Sequence, residues 1–360
     1  MSSLTNNKKD EDDEVPPPQR PPSPPPHTTF AARGIHPPTF SAFKPRDIRI
    51  SSPQGMSHIA WNCDGKRLAA VGIDKVVRVW WPDKSMELRS ASMFSGGHSD
   101  DVDYLSWNPT HPDLFCTSSQ RDRRIVFWDA RQSRYVQQVN TRGSPVKTDY
   151  APDGRIIVYT EADKRLNSLK LEKVGGDVKE QWHIVDRPPL TQEAKMPVVT
   201  FNHAGDGLIV TPPAEHTLRA VAYPSLNLVY ATPAHVGGCV ASALDPRGRY
   251  LASGGYDTIV NLFDLADWIC ARTITTCDHS ITAINFSHDG EFLAIASQGS
   301  YIDICAVETG QPMHRVPTLG PSAAVQWHPS RYIIAYCGQT KIREGGPPPA
   351  AWISLFGPGM

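Results

Sequence analysis

The groups in this chain that could do chemistry are thirteen histidines, seven cysteines and several aspartates standing directly before glycine. Histidine acts as a general base or a metal ligand, and a structural zinc site needs Cys or His pairs at short fixed spacings. The cysteines lie at 63, 116, 239, 270, 277, 305 and 337. None forms a Cys-x-x-Cys pair, and an odd number fits a disulfide framework poorly. No two histidines stand four residues apart, and phosphate-loop, zinc-protease and nucleophile-elbow motifs are absent. Asp64, Asp153 and Asp289 each precede glycine, which signals a tight turn rather than an acid/base pair. The residues therefore predict no catalytic site, no metal, no cofactor and no small-molecule ligand.

Two of the histidines belong to a constellation that occurs twice. His98 precedes an apolar strand, Ser119 lies on the next strand, Asp122 in the turn after it, and Trp128-Asp129 closes the unit. The same order returns as His235, Ser253, Asp257 and Phe263-Asp264. A turn aspartate can accept the imidazole N–H while a hydroxyl bridges to the indole, tying three strands together. Each such buried bond contributes about 1 kcal/mol net, and deleting one partner costs more.

The elements that must position these groups are themselves periodic. An apolar stretch leads to one large anchor residue, and a turn with glycine follows four positions later. The anchors are Trp61, Trp107, Tyr150, Phe201, Leu244, Phe286 and Trp327, spaced 41 to 51 residues apart. Copies two and seven drop the glycine for Asn108-Pro109 and His328-Pro329. After the turns come β-prone runs such as Arg67–Val71 and Glu291–Ala296, then third strands such as Val76–Trp80 and Arg124–Trp128. Four short strands per unit at this period are the mark of a β-propeller. Seven anchors predict an all-β fold, a seven-bladed WD-repeat propeller over residues 43–357. Only the second and fifth units keep most of the polar network. The third has Leu169 in the tryptophan position, and the sixth has Gly299 and Cys305 where Asp and Trp would stand. Phe43–Ile50 reads as a lone strand that pairs with Ala351–Phe356 and closes the ring.

Residues 1–42 differ in kind. An acidic cluster, Asp10 to Glu14, precedes a run rich in proline from Pro16 to Pro26. The segment lacks the apolar residues to offset its ordering entropy, which predicts a disordered tail. It reads as a solubilising tail or as a docking site for an SH3 or WW module, with Ser23-Pro24 a possible phosphorylation site. Across the chain, 36 basic and 37 acidic residues leave a formal charge of −1. No basic stripe of the kind a direct nucleic-acid binder carries is visible. The N-terminus has no apolar signal region, no run approaches the ~18 apolar residues of a membrane span, and a reducing compartment is expected.

The remaining candidates are surfaces. Repeat position places Asp101, Arg121, Arg123, Tyr256 and Tyr301 on the propeller face that carries the loops entering each inner strand. Arg and Tyr are enriched at binding hot spots. Two loops exceed the repeat average, 172–195 and 338–350, and read as either functional or disordered. Trp128-Asp129-Ala130-Arg131, with Asp122 upstream, resembles the box of substrate receptors in cullin-type ubiquitin ligases. The plainer reading makes Arg131 a surface charge after the strand.

Several stretches go beyond a generic repeat. Ile59–Ala69, His98–Phe115, Phe286–Gly290 and Tyr301–Gly310 resemble the subunit 3 family of the THO complex. Val139–Gly143 and Tyr223–Leu226 match in place, and the resemblance covers roughly residues 50–356. It implies a nuclear, non-catalytic scaffold in the transcription–export assembly that loads export factors onto messenger RNA. It also implies docking onto the large helical THO subunit and onto other THO/TREX subunits, with RNA contacted through partners. The tail and the two long loops lie outside it.

Overall fold

The computed structural model describes residues 25, 27–50, 55–163, 165–173, 180–185, 198–211, 216–341 and 348–359. It contains seven antiparallel sheets of four strands each, arranged as the blades of a propeller. The first strands are Met56–Trp61, Tyr104–Trp107, Pro145–Tyr150, Val198–Phe201, Cys239–Leu244, Ile281–Phe286 and Ser322–Trp327. Every one ends on an anchor. Six of the seven anchors are buried, and Leu244 is half-buried.

Local chemistry explains why each first strand stops there. Gly65, Gly154, Gly205, Gly248 and Gly290 all have positive φ, between 68° and 77°, a region that favours glycine. Space is short as well. A Cβ on Gly290 would lie 2.2 Å from Asp245 Oδ1 and 2.5 Å from Arg247 Nε.

The second and third strands form the core between blades. Leu68–Gly72, Tyr250–Gly255 and Phe292–Ser297 are buried at every position, as expected for strands covered on both faces. Leu169 and Cys305, which replace tryptophan in blades three and six, are wholly buried among apolar neighbours. Blade one keeps Trp80, whose Nε1 donates to Glu87 O at 3.1 Å.

Blade seven is made from both ends of the chain. Lys44–Ile50 pairs antiparallel with Ala351–Gly357 in unbroken register, from Lys44 opposite Gly357 to Ile50 opposite Ala351. That pairing removes the free edge that an open ring would present.

Two boundaries differ from the sequence expectation. Packed structure begins before residue 43. Short 3-10 turns at Ala31–Arg33 and Phe40–Ala42 lie on the propeller, and Phe40 is buried. The cause is aromatic: Phe30 stacks on Phe292 at 5.3 Å, Phe40 meets Phe292 edge-on at 5.0 Å, and Phe43 lies 5.6 Å from Phe356. The expectation for the rest of the tail falls largely on residues outside those described. Within 172–195, Glu180–Ile184 is the outer strand of blade three, held by Trp182 stacked on Phe127 at 4.9 Å. Residues 174–179, 186–195 and 342–347 of the two loops lie outside the described residues.

Candidate interaction surfaces

In an antiparallel blade, the second-to-third turns and the blade-to-blade connections share one face, here the entry face. The first-to-second and third-to-fourth turns form the opposite, basal face. The polar constellation secures the entry face. In blade two, His98 Nδ1 lies 2.9 Å from Asp122 Oδ2 and Nε2 lies 2.7 Å from Thr117 Oγ1. Trp128 Nε1 donates to the same Thr117 hydroxyl at 2.8 Å. The bridging hydroxyl is therefore Thr117 and not Ser119. Ser119 Oγ accepts only a long bond, 3.4 Å, from Asp122 N. In blade five, His235 meets Asp257 at 3.0 Å and Ser253 Oγ at 2.8 Å, and Phe263 stands where the indole would be.

The structure distributes the candidate surface residues unevenly. Arg121 is largely exposed and pairs with Asp101 at 3.1 Å and Asp100 at 3.5 Å. Arg123 is exposed with φ 56°, and its carbonyl accepts from Thr141. These residues form one cluster above blade two. Tyr256 is exposed above blade five, near the exposed Val236. Tyr301 is not free: its hydroxyl accepts from Asp278 N at 2.9 Å and Arg315 caps its ring at 3.8 Å. Its hydrogen bond and ring contact make it part of blade six packing.

The central channel encloses about 510 Å³ and is lopsided. His58, Tyr104, Lys147 and Asp149 line it from blades one to three, while on the other side Ala241, Ala243, Ala283, Ala323 and Ala324 alternate with the uncharged Ser242, Thr282, Asn285 and Gln326. The His58 ring lies 3.9 Å from that of Tyr104. Burial, aided by Lys147, pushes the His58 pKa down to about 3. Burial also lowers Lys147 and raises Asp149. Lys147 Nζ donates to Val199 O at 3.2 Å, and Asp149 accepts from Phe201 N at 3.0 Å. Among the described residues no group of three His, Cys, Asp or Glu could hold a metal. Burial raises the thiols of Cys116, Cys239, Cys277 and Cys305 to about 12, which suppresses thiolate chemistry.

The basal face carries a system that repeat patterning does not announce. Asn62 Nδ2 donates to Pro112 O, Asn108 Nδ2 to Gly154 O, Arg247 Nη2 to Gly290 O, and His328 Nε2 approaches Gly65 O at 3.0 Å. Each bond reaches the turn of the next blade. Arg247 is wholly buried and also meets Asp245, Glu291 and Glu308. Arg33 of the N-terminal segment grips Glu291 with two bonds, 2.8 and 2.7 Å. In three cases the residue directly after an anchor (62, 108 and 328) makes the link, and that was the available sequence signal. On the same face, Arg131 is exposed and folds back onto Asp129, with bonds of 2.9 and 2.7 Å.

Fold and repeat together define a WD-repeat β-propeller. A family profile described as "WD domain, G-beta repeat" matches residues 49–80, 90–129 and 226–264. Another, "Anaphase-promoting complex subunit 4 WD40 domain", matches residues 268–330. The β-propeller domain of Cps50 (Swd1) from Myceliophteria thermophila superposes with a TM-score of 0.69 at 17% identity, over 86% of this chain and 99% of that one. THO complex subunit 3 of Arabidopsis thaliana is 33% identical over 283 residues, 79% of this chain and 86% of its own length. WD repeat-containing protein AAC3 of Dictyostelium discoideum is 26% identical over 88% of this chain and 68% of its own. The chain belongs to the THO complex subunit 3 family of WD-repeat proteins.

Proposed function

We propose that this chain is a non-catalytic scaffold subunit of a THO-type transcription–export assembly, acting in the nucleus through protein–protein contacts. The observation that carries the reading is the 33% identity to THO complex subunit 3 across 86% of that protein. The partners are other THO/TREX subunits, chiefly the large helical one, and RNA is engaged through them. A formal charge of −1 supports indirect RNA contact. A scaffold role also fits the chemistry: His98 and His235 of the entry face are committed to Asp122, Thr117, Asp257 and Ser253. The partner surface proposed is the entry-face cluster of Asp101, Arg121 and Arg123 together with Tyr256, and Tyr301 supports blade six from within.

Affinity purification of the tagged full chain with mass spectrometry tests this. Recovery of THO subunits is expected. Recovery of a cullin and its adaptor, with no THO subunit, would overturn the reading in favour of a ligase receptor using Trp128-Asp129-Ala130-Arg131.

A further inference from the structure

An apolar patch lies on the outer rim where blades four and five meet. On the outer strand Leu228–Pro233, Leu228 is 58% exposed, Val229 69% and Tyr230 38%, and Ile269 in the adjoining turn of blade five is 64% exposed. The Tyr230 ring lies against Trp268, with centroids 5.1 Å apart. This outer strand has no charged residue, as in blades one and two, and its single proline, Pro233, stands at the end away from the patch. By contrast, that of blade seven carries Lys44, Arg46, Asp47 and Arg49, and that of blade six has proline at both ends and Arg315. Outer strands are ordinarily guarded by charge, by proline or by a covering segment, and a contiguous exposed apolar patch marks a contact site.

The backbone beneath the patch points the same way. Leu226 and Trp268 both have left-handed φ, 59° and 55°. Each N–H bonds the carbonyl four residues back, Ala222 O and Asp264 O, at 2.7 Å. At the matching turn of blade six the residue is Gly310, with φ 69° and its N–H on Ala306 O at 2.8 Å. Two large apolar side chains thus occupy positions where glycine is the unstrained choice.

The N-terminal segment reaches the neighbouring side of blade five, where Arg272 also donates to Glu308 O of blade six. His27 Nε2 lies 3.1 Å from Arg272 Nη1, on the outer strand of blade five. Arg272 stands four residues from Trp268, roughly 13 Å along an extended strand. Immediately before His27, residues 16–26 hold eight prolines, with Arg20 their one cation. In a polyproline II helix, at about 3.1 Å per residue, residues 20–26 reach roughly 20 Å. Asp267, next to Trp268, is exposed and offers Arg20 a complementary charge.

We propose that the Tyr230–Trp268 patch is a docking site for a polyproline II segment, and that its occupant is this chain's own residues 16–26. The segment meets the patch with flat proline rings against aromatic faces, a pairing that needs little further ordering because polyproline II is preformed. Tethering through His27 and Phe30 raises the local concentration of the segment at the patch.

The test uses the full chain labelled with 5-fluorotryptophan, the Trp268 resonance being assigned through Trp268→Phe. Replacing Pro21, Pro22, Pro24 and Pro25 together by Ala is expected to move that resonance, and Arg20→Glu to move it part of the way. With Tyr230→Ser already present, the same proline replacements are expected to leave it still. The replaced prolines lie outside the propeller core, so an unchanged melting temperature shows that the variant is folded. A Trp268 resonance unmoved by the proline replacements would overturn the proposal. So would one that moves only with protein concentration, the sign of a second copy, or only when a THO-type partner is added.

Discussion

Thr117 holds the centre of the blade-two network, and replacing it with valine isolates that role. Valine keeps the shape of threonine and removes the hydroxyl. Two bonds disappear together, the one between the hydroxyl and His98 Nε2 at 2.7 Å and the one from Trp128 Nε1 at 2.8 Å. The His98 side chain is wholly buried and Trp128 is 1% exposed, so neither stranded nitrogen reaches water. Two lost bonds at about 1 kcal/mol each, with an unsatisfied buried group adding about 1–3 kcal/mol, give a destabilisation of about 3–5 kcal/mol. Ser119→Ala removes only the 3.4 Å bond from Asp122 N and is expected to cost less than about 1 kcal/mol. Urea denaturation followed by tryptophan fluorescence reads the difference as a shift in midpoint at constant slope. Equal effects of the two substitutions, or a larger one for Ser119→Ala, would refute the assignment of Thr117 as the bridge.

Four other outcomes follow from the geometry. Arg247→Met leaves Asp245, Glu291 and Glu308 without their shared cation and is expected to destabilise the fold by about 3–5 kcal/mol in the same assay. His58 is held at about 3 in the fold against 6.5 in the open chain. The unfolded chain therefore binds a proton that the native one refuses: this contribution is complete above about pH 6.5 and is lost as pH falls toward 3. His58→Gln should accordingly lose less stability than the parent between about pH 7.5 and pH 5, and equal losses would count against it. Arg121→Glu with Arg123→Glu, at exposed sites, should leave the melting temperature nearly unchanged while weakening partner co-purification; unaltered co-purification would move the interface elsewhere. Deleting residues 351–360 removes the third strand of blade seven and should abolish soluble expression, so a soluble product that melts like the full chain would contradict ring closure through Lys44–Ile50.

Blade number was legible because one sterically determined event recurs. Each first strand ends on a large side chain, and the turn after it needs either a left-handed glycine, as at Gly65 and Gly290, or an Asn-Pro or His-Pro substitute. Thr117 was harder to see. Blade two has one more residue between hydroxyl and aspartate than blade five, where Ser253 and Asp257 are four apart. Alternation puts 117 and 119 on the same face of one strand, so spacing alone does not choose between them. The docked N-terminal segment was obscured by composition: proline dominates residues 16–38, and three isolated phenylalanines with Arg33 are the only sign that part of it packs. Tyr301 shows the limit for surfaces. Its repeat position predicts the exposed face, and only the neighbours Asp278 and Arg315 show that it is occupied.

These features meet at the one seam where the ring is not continuous in sequence. In a repeat array each unit is stabilised mainly by its two neighbours, so a ring opens most readily where a blade is assembled from distant segments. Blade seven is that blade, and its seam carries three fastenings of different kinds. Seven paired residues join Lys44–Ile50 to Ala351–Gly357. Phe40 lies 5.0 Å from Phe292 of blade six and 6.3 Å from Trp327 of blade seven, so one side chain spans the two blades just before the seam. His328 bonds across to Gly65 of blade one, on the far side of it. Arg33, in the turn that precedes the strand, ties the N-terminal segment to the Arg247 cluster between blades five and six through Glu291. The N-terminal segment thus crosses blades seven, six and five in turn and binds the ring on the basal face. The entry face is braced differently, from within, by His98 on Asp122 and His235 on Asp257.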